Sequence, residues 1–186
     1  MGELPIRLKF IRPKSLYPRL MATISIDKPG LRLASLGNAP PELLDETRIF
    51  EGIAWAELEI LSRHMSVHEA DPEHVLFAEG ESGSSMFILV RGKVETFKAG
   101  EQGHGVIAMD GAGKAIGEMA LIDGEPRSAT CVVREPSLLL TLTRENFDKL
   151  SRSHPAVSLH LIMRVAKLIS RRLRATSGRL IDYLDD

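Results

Sequence analysis

The pattern of hydrophobic and polar positions changes twice along the chain. A helix is predicted over Ala54–His64, where apolar residues have helical spacing. From residue 65 to residue 142 the apolar residues form short runs separated by glycines. Six of these runs are predicted strands: His74–Phe77, Met86–Val90, Lys93–Phe97, Val106–Met109, Ser128–Val133 and Ser137–Thr143. Thr143 is then a candidate N-cap for a helix over Arg144–Ser151, and a longer helix begins at Pro155. Many short strands with frequent turns favour a sandwich or barrel over a parallel sheet.

Two glycines in the strand region are interpreted differently because of their neighbours. Gly92 stands between two predicted strands, immediately before Lys93-Val94, and indicates a hairpin turn. Gly117 is followed by residues that are neither strand-like nor a polar loop, and Met119 to Ile122 could form one apolar turn of helix. We therefore expect a turn at Gly92 and a different, special backbone position at Gly117.

Candidate binding chemistry is concentrated in residues 117 to 130, Gly-Glu-Met-Ala-Leu-Ile-Asp-Gly-Glu-Pro-Arg-Ser-Ala-Thr. A glycine lets the backbone approach a ligand closely, and the free amides of the turn that follows can point at an anion. Arg127 supplies a planar, permanently charged fork that suits phosphate oxygens, and Glu118 can accept hydrogen bonds from sugar hydroxyls. The segment therefore predicts a pocket for a phosphate attached to a ribose. Alternatively, Arg127 pairs with Glu118 and closes the loop without a ligand.

This segment resembles the phosphate-binding cassette of cyclic nucleotide-binding domains, which the bacterial catabolite activator (cAMP receptor) proteins, the regulatory subunits of protein kinase A and cyclic nucleotide-gated channels share. A second stretch, from Leu76 to Val94, resembles another signature of the same family: Leu-Phe-Ala-Glu-Gly-Glu-Ser-Gly-Ser-Ser-Met-Phe-Ile-Leu-Val-Arg-Gly-Lys-Val. The resemblance implies a mainly β fold with flanking helices. It implies a double-stranded β-helix (jelly-roll) domain, a β-roll, followed by a long C-terminal dimerisation helix.

The resemblance also implies a role for each cassette residue. Glu118 would accept a hydrogen bond from the ribose 2′-hydroxyl, with the Gly117 backbone packed beside it. Backbone amides near Met119 and Ala120 would meet the cyclic phosphate, and Arg127 would neutralise its charge.

One further match to the family pattern and two departures from it lie near these residues. Ser128 would add an amide and a hydroxyl to the phosphate site. Lys114 stands where many relatives have an acid, and Ala115-Ile116 replaces a more common aromatic residue. These departures change the approach to the pocket rather than its phosphate chemistry.

The long C-terminal helix is predicted to have two apolar stripes. The first has the spacing 4, 3, 4, 3, 4, 3 and consists of Ile162, Ala166, Ile169, Leu173, Thr176, Leu180 and Tyr183. This heptad seam is typical of a parallel two-helix interface and predicts a homodimer. The second stripe, Leu161, Val165 and Leu168, is predicted to face the β-roll, although both stripes could instead form one broad core face.

Residues 171 to 177, Arg-Arg-Leu-Arg-Ala-Thr-Ser, resemble the dimerisation helix of the catabolite activator proteins. In that family the threonine contacts the adenine 6-amino group from its own subunit, and the serine does so from the partner subunit. The resemblance implies these roles for Thr176 and Ser177, which otherwise would be ordinary surface hydroxyls of a helix. It favours cAMP over cGMP, since kinase-type cGMP sites often have threonine directly after the cassette arginine and this chain has Ser128.

Three parts are predicted within the 186 residues. Residues 1–40 would be a basic, turn-rich and poorly ordered extension, residues 41–154 the β-roll with its flanking helices, and residues 155–186 the dimerisation helix. A formal net charge of −1 gives no overall field for nucleic acid or membrane. Apolar runs are too short to cross a bilayer, no signal peptide is recognised, and the single Cys131 excludes an intramolecular disulfide. We therefore expect a cytoplasmic protein.

These observations predict a cyclic nucleotide sensor, with cAMP preferred, that signals through its C-terminal helix to another protein. Neither a nucleophile elbow, a P-loop nor histidines with metal-ligand spacing are found, so we expect neither an enzyme nor a metal cofactor. No recognition helix follows the last helix in the sequence, and direct sequence-specific DNA binding is not expected. Two alternatives stay open: a nucleotide-independent interaction module that keeps the fold, and a cGMP-responsive relative.

Overall fold

The computed structural model describes residues 24–25, 31–33, 38–100 and 103–184, with side chains described over residues 38–98 and 105–178. In chain order the elements are β1 (Ile24–Ser25), β2 (Leu31–Leu33), α1 (Pro41–Asp45), a 3-10 turn (Arg48–Phe50), α2 (Trp55–Ser62), β3 (Ser66–Ala70), β4 (Val75–Phe77), β5 (Ser85–Gly100), β6 (Gly103–Gly111), β7 (Ala115–Ile116), α3 (Glu118–Asp123), β8 (Thr130–Thr143), α4 (Arg144–Ser153) and α5 (Pro155–Leu184). Most of the predicted N-terminal extension lies outside the described residues, and its division from the β-roll stays a prediction.

The eight described strands form one antiparallel sheet. Its order is β1-β2-β3-β8-β5-β6, while β4 also pairs with β8 and β7 with β5. Strands β5 and β8 are 16 and 14 residues long, and they pair from Ser85 opposite Thr143 to Phe97 opposite Thr130. Strands of this length bend, and three register shifts along the β5–β8 ladder mark where they do so. The sheet with helices beside it confirms the predicted jelly-roll class.

The prediction of a hairpin turn at Gly92 is wrong, because Gly92 lies inside β5. Its φ is +97°, and the pairing with β8 shifts register on both sides of it. A Cβ at this position would lie 2.2 Å from the Oγ of Ser137. Gly92 therefore allows a bulge that bends a continuous strand, and the hairpin falls later, where Gly100 pairs with Gly103.

Strand β3 was not predicted because polar residues interrupt its apolar pattern. One of them, His68, is only 2% exposed. Its Nδ1 lies 2.7 Å from the Oγ1 of Thr141 on β8. The strand is thus held to the sheet partly by a buried polar pair, which hydrophobic periodicity does not detect.

The buried apolar side chains form two groups. The larger group joins the helices to one part of the sheet and includes Leu44, Leu58, Leu61, Leu140 and Leu150. The smaller group lies inside the roll beneath the cassette and includes Phe77 and Phe87, whose ring centroids are 6.2 Å apart. The cassette therefore packs against a layer of buried apolar side chains.

Helices α4 and α5 follow the last strand directly. Thr143 caps α4 as predicted, since its side chain accepts a hydrogen bond from the backbone N–H of Asn146. On α5, Leu161 and Val165 are each 1% exposed and belong to the larger core group, and Leu168 packs against it. The predicted second stripe of α5 is therefore buried in the core group that joins the helices to the sheet, and Ile169 of the first stripe also packs against this group.

Candidate functional site

The cassette begins at a glycine that no other residue could replace without strain. Gly117 has a φ of +71° and precedes α3 as its N-cap. A Cβ added there would lie 2.4 Å from the Nη1 of Arg127 and 3.1 Å from the ring of Phe77. Both the left-handed backbone and the close approach of Arg127 therefore require glycine.

Arg127 is the buried cation of the site, only 6% exposed. Its Nη1 donates to the carbonyl of Gly117 at 2.7 Å, and its Nη2 donates to the carbonyl of Ser85 at 2.7 Å. Its Cζ lies 4.3 Å from the ring centroid of Phe77, a cation–π contact. Burial lowers the pKa of Arg127, while nearby acidic groups, Glu81 first among them, counteract the shift. An arginine stays charged even so, and the site therefore keeps a fixed positive charge.

One atom of this guanidinium is unpaired. The Nε of Arg127 is buried and has no hydrogen-bond partner among the described residues. Gly83 lies against it, since a Cβ there would be 2.7 Å from Nε and 2.6 Å from the Cβ of Ala120. Among the described residues, the hydrogen bonds of Arg127 go to Gly117 and Ser85, and Glu118 accepts one from Arg172, so the structure does not place Arg127 and Glu118 as a hydrogen-bonded pair. An anion that reached Nε would complete the hydrogen bonding of Arg127.

Glu118 pairs instead with the C-terminal helix. The carboxylate is buried, and its Oε1 accepts a hydrogen bond from Arg172 Nη1 at 2.7 Å. Arg172 Nη2 donates to the carbonyl of Ala115 at 2.7 Å and lies 3.7 Å from Oδ2 of Asp110. Burial raises the pKa of Glu118, and the charge and hydrogen bond of Arg172 work in the opposite direction. Arg172 thus connects α5 to α3, β6 and β7 at one point.

Arg172 was not among the predicted site residues, although the sequence contains a signal for it. The stripe of α5 that faces the roll consists of Leu161, Val165 and Leu168. One more step of four residues along that stripe reaches Arg172. A cation at the end of a core-facing stripe needs a buried partner, and here the partner is Glu118.

A cleft of about 1320 Å³ lies between the roll and α5. Seven of the eight predicted site residues line it: Gly117, Glu118, Met119, Ala120, Arg127, Ser128 and Thr176. The eighth, Ser177, is exposed on α5 next to Thr176. The hydroxyl of Thr176 donates to the carbonyl of Arg172 at 3.0 Å. The structure therefore brings the cassette and the end of α5 to one cleft, while the role of each residue stays a prediction.

The described ranges contain no group of three or more His, Cys, Asp or Glu side chains placed to hold a metal ion. None of their helices combines the length and hydropathy that a bilayer crossing requires.

A β-roll whose glycine-capped cassette and buried arginine face a long following helix defines a cyclic nucleotide-binding architecture. Residues 67–154 match the family described as the cyclic nucleotide-binding domain. The chain therefore carries a cyclic nucleotide-binding domain, and it is homologous to CRP-like regulators.

Three relatives illustrate the similarity. The cyclic AMP receptor protein of Thermus thermophilus is 32% identical over 127 residues, which cover 68% of this chain and 57% of that protein. A CRP-like cAMP-activated global transcriptional regulator of Mycobacterium tuberculosis is 24% identical over 144 residues, 77% of this chain and 62% of that protein. The crystal structure of a cyclic nucleotide-binding domain from Methylobacillus flagellatus superposes with a TM-score of 0.74 at 29% identity, over 83% of this chain and 90% of that one.

The match to the curated regulators is partial along their length. This chain spans 62% of the Mycobacterium tuberculosis regulator and 57% of the Thermus thermophilus protein. The described part of this chain holds the nucleotide-binding domain and α5, and no DNA-binding domain is evident in it.

Proposed function

We propose that this protein is a cAMP sensor that holds its ligand in the cleft between the cassette and α5. One observation carries the proposal: a buried guanidinium, Arg127, and a buried carboxylate, Glu118, line the same cleft. A nucleoside cyclic phosphate needs both, because its anionic phosphate is matched by a cation and its ribose hydroxyl by an acceptor.

The proposed contacts follow from which atoms are available. The phosphate would approach the unpaired Nε of Arg127 and the amides that begin α3 at Met119 and Ala120. The ribose 2′-hydroxyl would donate to Glu118, which already accepts from Arg172. Ligand binding would therefore change the contact that holds α5. A ligand shifts such a contact only to the extent that it binds one arrangement more tightly.

The choice of cAMP over cGMP is supported by two observations. Thr176 lines the cleft on α5, where its hydroxyl could accept a hydrogen bond from an adenine amino group. Two curated relatives carry cAMP in their names, as a receptor and as a cAMP-activated regulator. We propose Thr176, with Ser177 of a second subunit, as the adenine-contacting pair.

Calorimetric titration with cAMP and cGMP tests the proposal. Arg127→Gln should weaken cAMP binding by about 100-fold, since it removes the buried positive charge that we match to the phosphate. Arg127 also holds the carbonyls of Gly117 and Ser85, so Glu118→Gln serves as a second variant, with exposed Glu125→Gln as its control. Thr176→Ala should weaken cAMP binding more than cGMP binding. A folded wild-type protein that binds neither nucleotide at high micromolar concentration would refute the sensor.

A nucleotide-independent interaction module is the second candidate. It is favoured by the partners that the site already has, because Glu118 is paired with Arg172 and two nitrogens of Arg127 are bound to carbonyls. In that case Arg127→Gln would lower the thermal unfolding temperature, and neither cAMP nor cGMP would raise the unfolding temperature of the wild type. The calorimetric series distinguishes the two candidates directly.

We also propose that α5 pairs with a second copy through its seam. Leu173 is 66% exposed, while Ile162 and Ile169 are half-buried and Ala166 is exposed. The side chains of Leu180 and Tyr183 lie outside the described residues. An apolar stripe left partly open beside a buried one is the arrangement expected of a helix that packs on two partners.

A further inference from the structure

Five basic side chains line the same cleft without belonging to the proposed nucleotide site. They are Arg48, Lys114, Arg164, Lys167 and Arg171. None of the five forms an ion pair with any residue that the structure describes. We refer to them as the basic cluster.

Contacts bring the cluster together from three elements. Arg164, Lys167 and Arg171 share one face of α5, since they are spaced by three and four residues. Arg164 donates to the carbonyl of Ile49, and Arg48 begins the same 3-10 turn.

The third element is the turn between β6 and β7. A Cβ at Gly113 would lie 3.3 Å from the side chain of Arg48, and Lys114 follows directly. The 3-10 turn, the β6–β7 turn and α5 therefore present their cations to one concave surface.

The acidic residues of the cleft do not balance this charge. Glu118 and Asp110 face Arg172, which is not part of the cluster. Glu57 lies 2.8 Å from the Nδ1 of His160. Among the described lining residues, Glu51 is the one further carboxylate, and it is exposed. Cations gathered in a concave surface raise the local positive potential and attract anions of several charges.

We propose that the basic cluster is a docking surface for an extended acidic segment of a partner protein. Along the axis of α5, Arg164 and Lys167 are separated by about 4.5 Å, and Lys167 and Arg171 by about 6.0 Å. Side chains on one face of an extended chain are separated by about 6.6 Å, so alternate carboxylates of such a segment come close to matching these steps. The arginines can bind carboxylates through two parallel hydrogen bonds.

Two other anions fit less well. A cyclic nucleotide carries one negative charge and would leave most of the cluster unbalanced. Single-stranded nucleic acid binds through aromatic side chains on which its bases stack. Among the described residues that line the cleft, Phe77 is the one phenylalanine, tyrosine or tryptophan. It is 5% exposed, and Arg127 covers its ring. The observations therefore favour a segment that carries carboxylates. Docking of this segment does not require nucleotide.

Fluorescence anisotropy tests the proposal with a short fluorescein-labelled peptide that alternates glutamate with serine. A peptide with glutamine at every glutamate position is the control ligand. The test variant is Lys167→Glu/Arg171→Glu, which reverses two exposed charges of the cluster. The control variant is Arg152→Glu/Arg174→Glu, which reverses two exposed charges that do not line the cleft.

The glutamate peptide should bind the wild type, and binding should weaken as salt is raised from about 50 mM to about 150 mM. The test variant should bind this peptide at least about tenfold more weakly, and the control variant within about twofold of wild type. Circular dichroism of each variant establishes that it is folded.

Four outcomes would overturn the proposal. The glutamate peptide does not bind the wild type, the glutamine peptide binds equally well, or the test variant binds like the wild type. In the fourth, an oligothymidylate of equal charge binds more tightly than the glutamate peptide and loses affinity in the same variant, which makes the surface a nucleic-acid site. Titration of the test variant with cAMP separates this result from the nucleotide proposal, since neither Lys167 nor Arg171 is assigned to the nucleotide site.

Discussion

Gly117 and Gly124 stand at the two ends of α3, and both have a left-handed backbone, with φ values of +71° and +75°. They differ in what a side chain would meet there. A Cβ at Gly117 would collide with Arg127, whereas nothing lies within 4 Å of a Cβ at Gly124. Substitutions at the two glycines therefore separate the effect of backbone strain from the effect of displacing Arg127.

Gly117→Ala should abolish cAMP binding, and Gly124→Ala should leave its affinity within about threefold of wild type. Each substitution should cost about 1–2 kcal/mol in the free energy of unfolding from the left-handed backbone alone. The collision with Arg127 adds to this cost in Gly117→Ala. Urea denaturation and calorimetry measure the two effects, and equal loss of cAMP affinity in both variants would show that strain, not Arg127, is responsible.

The buried His68 predicts a pH dependence of stability. Burial lowers the pKa of His68 from 6.5 to about 4, and its Nε2 has no hydrogen-bond partner among the described residues. Below pH 6.5 the unfolded chain binds a proton that the folded chain does not take up until about pH 4. His68 therefore stabilises the fold fully above pH 6.5, and this contribution, at most about 3 kcal/mol, is lost as the pH falls to 4.

Urea denaturation of the wild type and His68→Gln at several pH values between 7 and 4 measures this contribution. The wild type should lose more free energy of unfolding on acidification than the variant, because glutamine does not titrate. His154→Gln, at an exposed position, should behave like the wild type. Parallel pH profiles for the wild type and His68→Gln would contradict the assignment.

At the scale of elements, Arg172 is the contact between α5 and the cassette. Arg172→Gln leaves the buried Glu118 without its cation and should lower the free energy of unfolding by about 1–3 kcal/mol. The double variant Glu118→Gln/Arg172→Gln should be more stable than the sum of the single changes predicts, by about 1 kcal/mol or more.

Denaturant unfolding of the four proteins in this double-mutant cycle measures the coupling. Arg174→Gln, two residues further along α5, is the matched control, since Arg174 is exposed and its hydrogen bond among the described residues goes to Ser170. Additive single effects would show that Arg172 and Glu118 are neighbours without energetic coupling.

How far the sequence predicts an element depends on the range of its interactions. The cassette and the cap at Thr143 could be predicted because their chemistry is contained in a few consecutive residues. The continuity of β5 through Gly92 could not be predicted in this way, since it depends on Ser137 in β8, which follows the cassette in the sequence. The pairing of Glu118 with Arg172 joins residues 54 positions apart. In the sequence, only the position of Arg172 on the same helical stripe as the buried residues of α5 indicates this pairing.

At the scale of the whole molecule, α5 presents three faces with different chemistry. Leu161 and Val165 are buried against the roll, and Lys167 and Arg171 line the cleft as part of the basic cluster. Leu173 is exposed on the seam. A change at the cassette that moved Arg172 would move all three faces together, because they are parts of one helix. The proposed nucleotide binding, partner docking and dimerisation would therefore be linked through α5.

The homodimer can be tested apart from the nucleotide. Leu173→Glu places a charge on the proposed seam, opposite the same charge of the second copy, and should convert a dimer to a monomer in sedimentation velocity. Arg174→Glu, at the adjacent exposed position off the seam, should leave the dimer intact. A wild-type monomer, or a Leu173→Glu variant of dimeric mass, would exclude the seam.

The same variant tests whether the nucleotide site is shared between subunits. Ser177 is exposed on α5, beside Thr176 but not among the residues that line the cleft of its own chain. If Ser177 contacts the adenine of the other subunit, monomeric Leu173→Glu should bind cAMP about tenfold more weakly, which corresponds to the loss of one buried hydrogen bond.

Ser177→Ala should produce the same loss in a protein that is still dimeric. Because Leu173 itself lines the cleft, this second variant decides the cause. Full affinity in dimeric Ser177→Ala would mean that each subunit binds its nucleotide alone, and dimerisation would then respond to the ligand only through α5.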